Sequence, residues 1–506
     1  MKKDDSSKRL ISNSFYLMAD WISATVLSMI FWIVVGKTLD TSGYGIVATT
    51  VNIALLVAAF GMIGIRDAAT NLISRYLKKG MMDKVRGVIR FSTKFVLIGN
   101  VVSAAVFVLF SSQIAGVLNL PIESIWMAAL LIFGWGFWIL TTGILQGMQN
   151  MRFLFKTNLI GQIVKVILPI GMFYFGLGIM SPVLAFIISL FLIIFLRIPQ
   201  FPRGKASPVK ARELVLTLAL PVFISSVMWL VFTNLPNVIL NSLTSPDVTG
   251  LFALVLTLAT PIVFIPMTLN QALFPITSGL AETSRPDRRQ SKLISLVLKF
   301  AALTTLPIIA LLLVFSDEII LFFSQPQYLP ASQLIPIVAP ASILLGIGQI
   351  LASNIFAIGK PNVTRNITIV TTVIFLGLSI PGTYLFSSMG MAYAYLISMV
   401  FLVISSYLYL RRAIHLEVDW AAMAKISVAT LIFAAFMYAL SAVFTSMTAK
   451  VVVILLGAVV YFAVLLPLRY YSTDELNIIR YLASRSKSMK RRLGPLERLL
   501  SKFVRE

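Results

Sequence analysis

The residues of this chain that could do chemistry are charges set inside apolar runs. Asp20 stands in the first such run, Lys94 in FSTKFVLIG, Lys165 in LIGQIVKVILPI and Lys299 in LISLVLKFAAL, while Arg66 follows the apolar GMIGI. Within a lipid-spanning segment an ionisable group costs roughly 3 kcal/mol or more unless it is paired or wet, so each asks for a reason. At 1.5 Å per residue, Asp20 and Lys165 both lie ~12 to 14 Å from the same end of their helices, close enough in depth to neutralise one another as a structural bridge. Lys94 and Lys299 sit nearer their helix ends, where a long stem can snorkel to the interface. A second set is uncharged: Gln146, Asn158 and Gln162 early in the chain, and Asn234, Asn237, Asn270, Gln271, Gln349 and Asn354 later. Amides donate and accept, which suits hydroxyl-rich ligands and equally suits bonds between helices. Covalent chemistry lacks its usual groups. With no Cys and one His, thiol catalysis, disulfides, iron–sulfur clusters and the common zinc sites are excluded, and no Walker loop is present. Asp317-Glu318 reads as a solvated acidic pair rather than a metal site, and no cofactor is expected.

The elements that must hold these residues follow from composition. Of 506 residues, 58% are hydrophobic and 12% charged, against about 25% charged in an average soluble protein. This is an all-α polytopic membrane protein, and spans of ~20 residues leave almost no length for a soluble catalytic domain. Apolar runs predict fourteen transmembrane helices near 11–36, 44–65, 88–111, 123–147, 157–177, 182–197, 212–239, 248–275, 291–315, 331–357, 364–386, 390–410, 421–444 and 449–468. The first run is too long for a signal peptide and has no cleavage site. The net charge of +23 sets topology and is not a nucleic-acid footprint: Lys and Arg cluster in the N-terminal segment, the even-to-odd connections and the tail, leaving Lys37 and Lys450 on the wrong side and Lys165 within a helix. Both termini are therefore expected in the cytoplasm. The tail, with LGPLERLLSKFV, is either solvated or an amphipathic helix on anionic membrane lipids.

The chain also repeats itself at an offset of about 205 residues. LDTSGYGIVATTVNIALLV matches LTSPDVTGLFALVLTLATPIV with Gly45 on Gly250, Lys94-Phe95 matches Lys299-Phe300, and LQGMQNMRFLFKTNL echoes FAIGKPNVTRNITI. Units of six helices enter the membrane in the same direction, so these are parallel repeats. The expected organisation is a six-helix lobe over 1–198, a cytoplasmic linker over 199–211, a second six-helix lobe over 212–412, two additional helices over 413–468 and a basic cytoplasmic tail over 469–506.

The opening SNSFYLMADWISATVLSMIFWIVVGKTLDTSGYGIVATTVNIA, the GMIGI followed by basic residues, and LQGMQNMRF resemble the multidrug, oligosaccharidyl-lipid and polysaccharide exporter superfamily, in its polysaccharide-biosynthesis flippase branch. The resemblance covers about residues 10 to 410. It implies two lobes around a V-shaped central cavity, alternating access, and export of a polyprenyl-(pyro)phosphate-linked saccharide across the cytoplasmic membrane. On that basis Lys94 and Lys299 offer cations to the lipid-linked anion together with Arg66 and Lys165, the amides face the sugar, and Asp20 is the coupling acid for a proton or sodium ion. A cation-coupled multidrug exporter is the alternative; it calls for acids in the cavity, whereas the interior charges are mainly basic. A membrane-embedded glycosyltransferase or polymerase calls for a large external loop, and the longest external connection is only about fifteen residues. Single cysteines placed in the cysteine-free chain test the topology: an impermeant thiol reagent on whole cells should label Asp247→Cys and spare Ser207→Cys, and the reverse pattern inverts the orientation.

Overall fold

The computed structural model describes residues 3–209, 213–281, 288–444 and 446–470; the basic tail, read as solvated or as a surface helix, lies outside them beyond residue 470. Lipid offers no partner to a peptide group, so each spanning segment must satisfy its backbone internally. Among the described residues the chain is helical with no strand. In order the helices are α1 (Lys3–Thr38), α2 (Thr41–Met62), α3 (Ile65–Lys78), α4 (Met82–Leu109), α5 (Ser111–Leu118), α6 (Ile122–Gly147), α7 (Met151–Tyr174), α8 (Ser181–Arg197), α9 (Leu220–Leu243), α10 (Pro246–Ala281), α11 (Arg288–Val314), α12 (Ser316–Phe323), α13 (Ile335–Ala357), α14 (Pro361–Ile414), α15 (Trp420–Val443) and α16 (Met447–Leu465).

Twelve described helices are long and apolar enough to cross a membrane. The difference from fourteen falls in two places. The segments 364–386 and 390–410 lie in the single stretch α14, broken at Ser387 where φ is 54° and ψ −135°. The segment 212–239 corresponds to a π-helical turn, Glu213–Ala219, followed by α9, whose described apolar part is the shorter Leu230–Leu243.

The basic stretch after α2, expected as a loop, is instead the amphipathic helix α3. Ile65, Ala68, Ala69, Leu72 and Ile73 recur at helical spacing and are buried, with Arg75 and Lys78 in the last turn. Its entry is a sharp corner at Ile63 and Gly64, both at positive φ, and a Cβ on Gly64 would run into the Ala219 carbonyl.

The chain forms two compact units, 1–258 with 320–334 and 368–398, and 259–319 with 335–367 and 399–506. In the first, α1 packs on α7, α2 on α4, α6 and α9, and α8 on α6 and α7. Small residues allow the closest crossing, as in other lipid-embedded helices: a Cβ on Gly45 would strike the Pro246 carbonyl, and one on Gly250 the Thr41 carbonyl. The glycines matched in sequence therefore meet reciprocally, and Thr41 Oγ1 donates to Asp247 Oδ1 at 2.6 Å beside them. At the same end Lys37 Nζ donates to the carbonyls of Leu321 (2.7 Å) and Ser324 (2.8 Å) at the C-terminus of α12, whose dipole favours a cation. Tyr328 closes the contact by donating to the Asp40 carbonyl at 2.8 Å.

In the second unit α15 and α16 pack on one another and α15 on α11, around Leu303, Ile426, Phe433, Val453 and Tyr461, with Tyr461 donating to the Leu303 carbonyl at 2.9 Å. Glu318 and Lys450 form a partly buried ion pair. Asp317-Glu318 is therefore the first turn of α12, not a solvated loop, and the two lysines that break the charge rule both have local partners. Gly250→Val should lower Tm in detergent by the equivalent of about 1 to 3 kcal/mol through overpacking. Gly171→Ala, whose added Cβ meets no atom, should leave Tm unchanged or raised; equal losses in the two variants would show that the crossing is not the tight point.

A buried charge network as candidate functional site

The densest polar cluster of the first unit joins α1, α6, α7 and α8. On α6, Trp138, Thr141 and Thr142 fall at i, i+3 and i+4 and so share a face. The two hydroxyls donate to the Trp138 carbonyl at 3.0 and 2.8 Å. On α7 the Thr157 hydroxyl points back at the Phe153 and Leu154 carbonyls, each at 3.0 Å. A hydroxyl has one proton; with that proton directed to its own helix, each of these threonines presents a lone pair outward. Arg197, the last residue of α8, occupies the space they face and is 0% exposed. Its Nε donates to Thr157 Oγ1 at 3.1 Å, and its Nη1 to Thr141 Oγ1 at 3.0 Å and Thr142 Oγ1 at 2.9 Å. Its Nη2 donates to Asn158 Oδ1 at 2.6 Å.

Asn158 passes this contact on. Its Oδ1 also accepts from Trp138 Nε1 at 3.0 Å, and its Nδ2 donates to Asp20 Oδ1 at 2.9 Å and Oδ2 at 3.1 Å. Asp20 on α1 is buried. The arrangement is carboxylate, amide, guanidinium: two unlike charges compensated through a neutral side chain that bonds to both.

The expected Asp20–Lys165 bridge is not what forms. Lys165 is buried with its Nζ 5.1 Å from the Phe31 ring centroid and 4.9 Å from that of Phe186, a cation held by aromatic faces. The cation answering Asp20 is Arg197, which the charge pattern alone counts with the basic residues at a cytoplasmic helix end. A helix-terminal arginine can point either way; only the hydroxyl face of α6 and α7 decides it. The signal in the sequence was the Trp138, Thr141, Thr142 spacing opposite Thr157-Asn158.

Other expected residues divide. Arg66 and Gln146 come together, Nη2 donating to Oε1 at 3.1 Å, with Arg66 half-exposed. Gln162 is half-buried. Lys94 is exposed on a face of α4 shared with exposed Leu97, Ile98 and Val101. Asn234 is buried and bonds within its own turn, to the Leu230 carbonyl at 3.2 Å and Thr233 Oγ1 at 2.8 Å. In the second unit Lys299 is buried with Nζ 4.5 Å from the Tyr470 ring centroid. Asn354 donates to the Ile350 carbonyl at 2.8 Å, Asn270 accepts from Ser353 at 2.7 Å, Gln349 is half-buried and Gln271 exposed. Among the described residues, no group of three or more His, Cys, Asp or Glu could hold a metal.

Twelve described helices long and apolar enough to cross a membrane define a multi-pass membrane protein. More particularly, residues 10–281 match the polysaccharide biosynthesis protein family, and the chain belongs to it. The network from Asp20 to Arg197 lies wholly within the matched segment. Among solved structures, the lipid II flippase MurJ in an inward closed conformation is similar at 18% identity and a TM-score of 0.67, covering 90% of this chain and 98% of its own. An inward-facing multidrug resistance MATE family transporter of the MOP superfamily has 16% identity and a TM-score of 0.67, covering 78% of this chain and 94% of its own. The MATE multidrug transporter DinF-BH follows at 17% and 0.55, covering 81% and 97%. No curated protein matches the chain. The fold is thus that of the exporter superfamily resembled by the sequence.

Asn158→Leu strands both Asp20 and Arg197 and should cost about 3 to 5 kcal/mol, read as a fall in Tm. Lys165→Met removes a buried cation that has no acid beside it and should be neutral or stabilising; a loss as large as that of Asn158→Leu would return Lys165 to an essential charge pair.

Proposed function

We propose that this protein is a flippase that moves a polyprenyl-(pyro)phosphate-linked oligosaccharide across the cytoplasmic membrane by alternating access, with both termini in the cytoplasm and no covalent step. The observation that carries this reading is the family match over Asp20 and its network. Likeness of fold to a lipid II flippase over 90% of the chain, against 78% for a MATE transporter, supports it. Charge supports it too. Of the charged side chains buried among the described residues, Lys165, Arg197 and Lys299 are basic and Asp20 alone is acidic, a balance that favours an anionic substrate over an organic cation.

Arg66 is the leading contact for the lipid-linked (pyro)phosphate, because it is half-exposed and its planar fork suits phosphate oxygens. Lys165 and Lys299 add positive charge as further buried cations, and of the expected amides Gln146, Gln162, Gln271 and Gln349, which keep some exposure, are the ones left to face the sugar. Asn158, Asn234 and Asn354 are taken up by bonds within the protein, and Lys94 lies on an exposed apolar face. Asp20 is the acid that takes up and releases the coupling cation. The multidrug reading rests on the shared fold and this single acid.

In proteoliposomes given a fluorescent short-chain polyprenyl-linked sugar, wild type should translocate it and Arg66→Gln should lose about tenfold, the equivalent of ~1.4 kcal/mol of a charge-assisted contact. Unchanged translocation by a well-folded Arg66→Gln protein removes that contact from the site. Export of a fluorescent organic cation with no movement of the lipid-linked sugar reverses the proposal in favour of the multidrug exporter.

A further inference from the structure

Which cation Asp20 exchanges depends on which way round the Asn158 amide lies. The two ends of an asparagine side chain are nearly alike in shape, and their neighbours decide between them. Oδ1 faces two groups that can only donate, Trp138 Nε1 at 3.0 Å and Arg197 Nη2 at 2.6 Å. Nδ2 faces both oxygens of Asp20. Turning the amide over would set –NH2 against an indole N–H and a guanidinium, and a carbonyl oxygen against a carboxylate. Arg197 cannot swing aside to permit this, because Thr141, Thr142 and Thr157 hold its other nitrogens with hydroxyls whose protons are committed to their own helices. The lock runs from three hydroxyls through Arg197 to Asn158 and so to Asp20.

Sodium is a hard cation and binds by gathering oxygen atoms, carboxylate and carbonyl oxygens first. The Asp20 carboxylate offers its oxygens, but the nearest neutral side chain turns N–H bonds toward them and keeps its own oxygen averted, in the direction of a fixed positive charge. A proton needs no such shell: it adds to one carboxylate oxygen, and Nδ2 keeps its bond to the other. On α7, Lys165 faces Phe31 and Phe186 while Arg152 and Lys156 are exposed. Helix α2, which also touches α1, carries no charged residue, and α8, which meets α1 at Phe31 and Phe186, brings Arg197. Arg197 is thus the cation that bears on the site.

We infer that Asp20 exchanges protons and excludes sodium, and that Arg197, acting through Asn158, is the positioning residue that sets this choice. The inference rests on the reading of Asp20 as the coupling acid. It is tested on the full chain in detergent by two ion measurements that need no lipid-linked substrate: retention of sodium-22, and the infrared band of a protonated carboxyl that appears on acidification and is absent from Asp20→Asn. Wild type should show the Asp20-dependent band and retain no more sodium-22 than Asp20→Asn.

Arg197→Met and, more gently, Trp138→Phe loosen the lock, and Asn158→Asp replaces the inward N–H groups by oxygens. Each should gain sodium-22 retention that disappears when Asp20→Asn is added, a gain that a misfolded variant does not produce. Arg197→Lys, which keeps a charged donor, should stay closer to wild type. Asp20-dependent sodium-22 retention by the wild-type protein overturns the inference while leaving Asp20 as the coupling acid. Retention unchanged from wild type in well-folded Trp138→Phe and Asn158→Asp also overturns it. If Asp20→Asn alters neither measurement nor gradient-driven translocation in liposomes, the coupling reading itself fails and takes the inference with it.

Discussion

A guanidinium cannot be left dry. Arg197 is fully buried at the end of α8, and the penalty for an unpaired ion in such a place is several kcal/mol. Much of the first unit is arranged around meeting that demand. It requires α6 to turn two threonines toward α8, and α7 to place Thr157 and Asn158 side by side. Because the threonine protons are taken by backbone carbonyls, the hydroxyls are acceptors in the one direction where acceptors are needed. The demand then extends to α1, since the amide that satisfies Arg197 presents its N–H groups to Asp20. Four helices are registered against each other by one side chain's need for oxygen.

Elsewhere the packing follows from lipid being as apolar as the helices it surrounds, so that close approach and polar contacts, rather than burial, select the neighbours. Gly45 and Gly250 let α2 and α10 cross with backbone against backbone. Lys37 tethers α1 to the end of α12 through two carbonyls, and Lys450 ties α16 to Glu318. Both lysines stand where the distribution of positive charge would not put them. Their partners supply the compensation that water gives to exposed charges.

The span pattern was legible because hydrophobic length is a property of the sequence alone. Charge asymmetry and the match of Gly45 with Gly250 could likewise be read without coordinates. Helix α3 was not read, because its apolar face is short and its basic residues look like a loop until their spacing is laid on a helix. In the site, Asp20 and Asn158 were identified as residues of interest, but their partner was not. Depth along a helix is calculable from residue number; azimuth about the helix axis is not, and Lys165 matches Asp20 in depth while facing Phe31 and Phe186 instead. The burial of Arg197 was hidden for the complementary reason, since hydropathy counts a terminal arginine as solvated whichever way it turns.

Buried cations and ligand-binding cations are therefore different populations, although both read as basic residues in apolar segments. Lys165 is held by two phenyl rings, Lys299 lies over Tyr470, and Arg197 is bonded through each of its nitrogens. To receive a phosphate, any of these would have to give up contacts that replace its hydration, and the exchange would return little. Arg66 is placed otherwise: it keeps one bond to Gln146 and a longer contact of 3.8 Å to Asp67, and more than a third of its side chain remains exposed. A guanidinium so placed is already partly hydrated and can trade water for an anion at small cost. On the proposed reading of the function, the buried cations set the sign of the field that an anionic headgroup would meet, while direct contact falls to Arg66, the cation that the fold leaves incompletely satisfied.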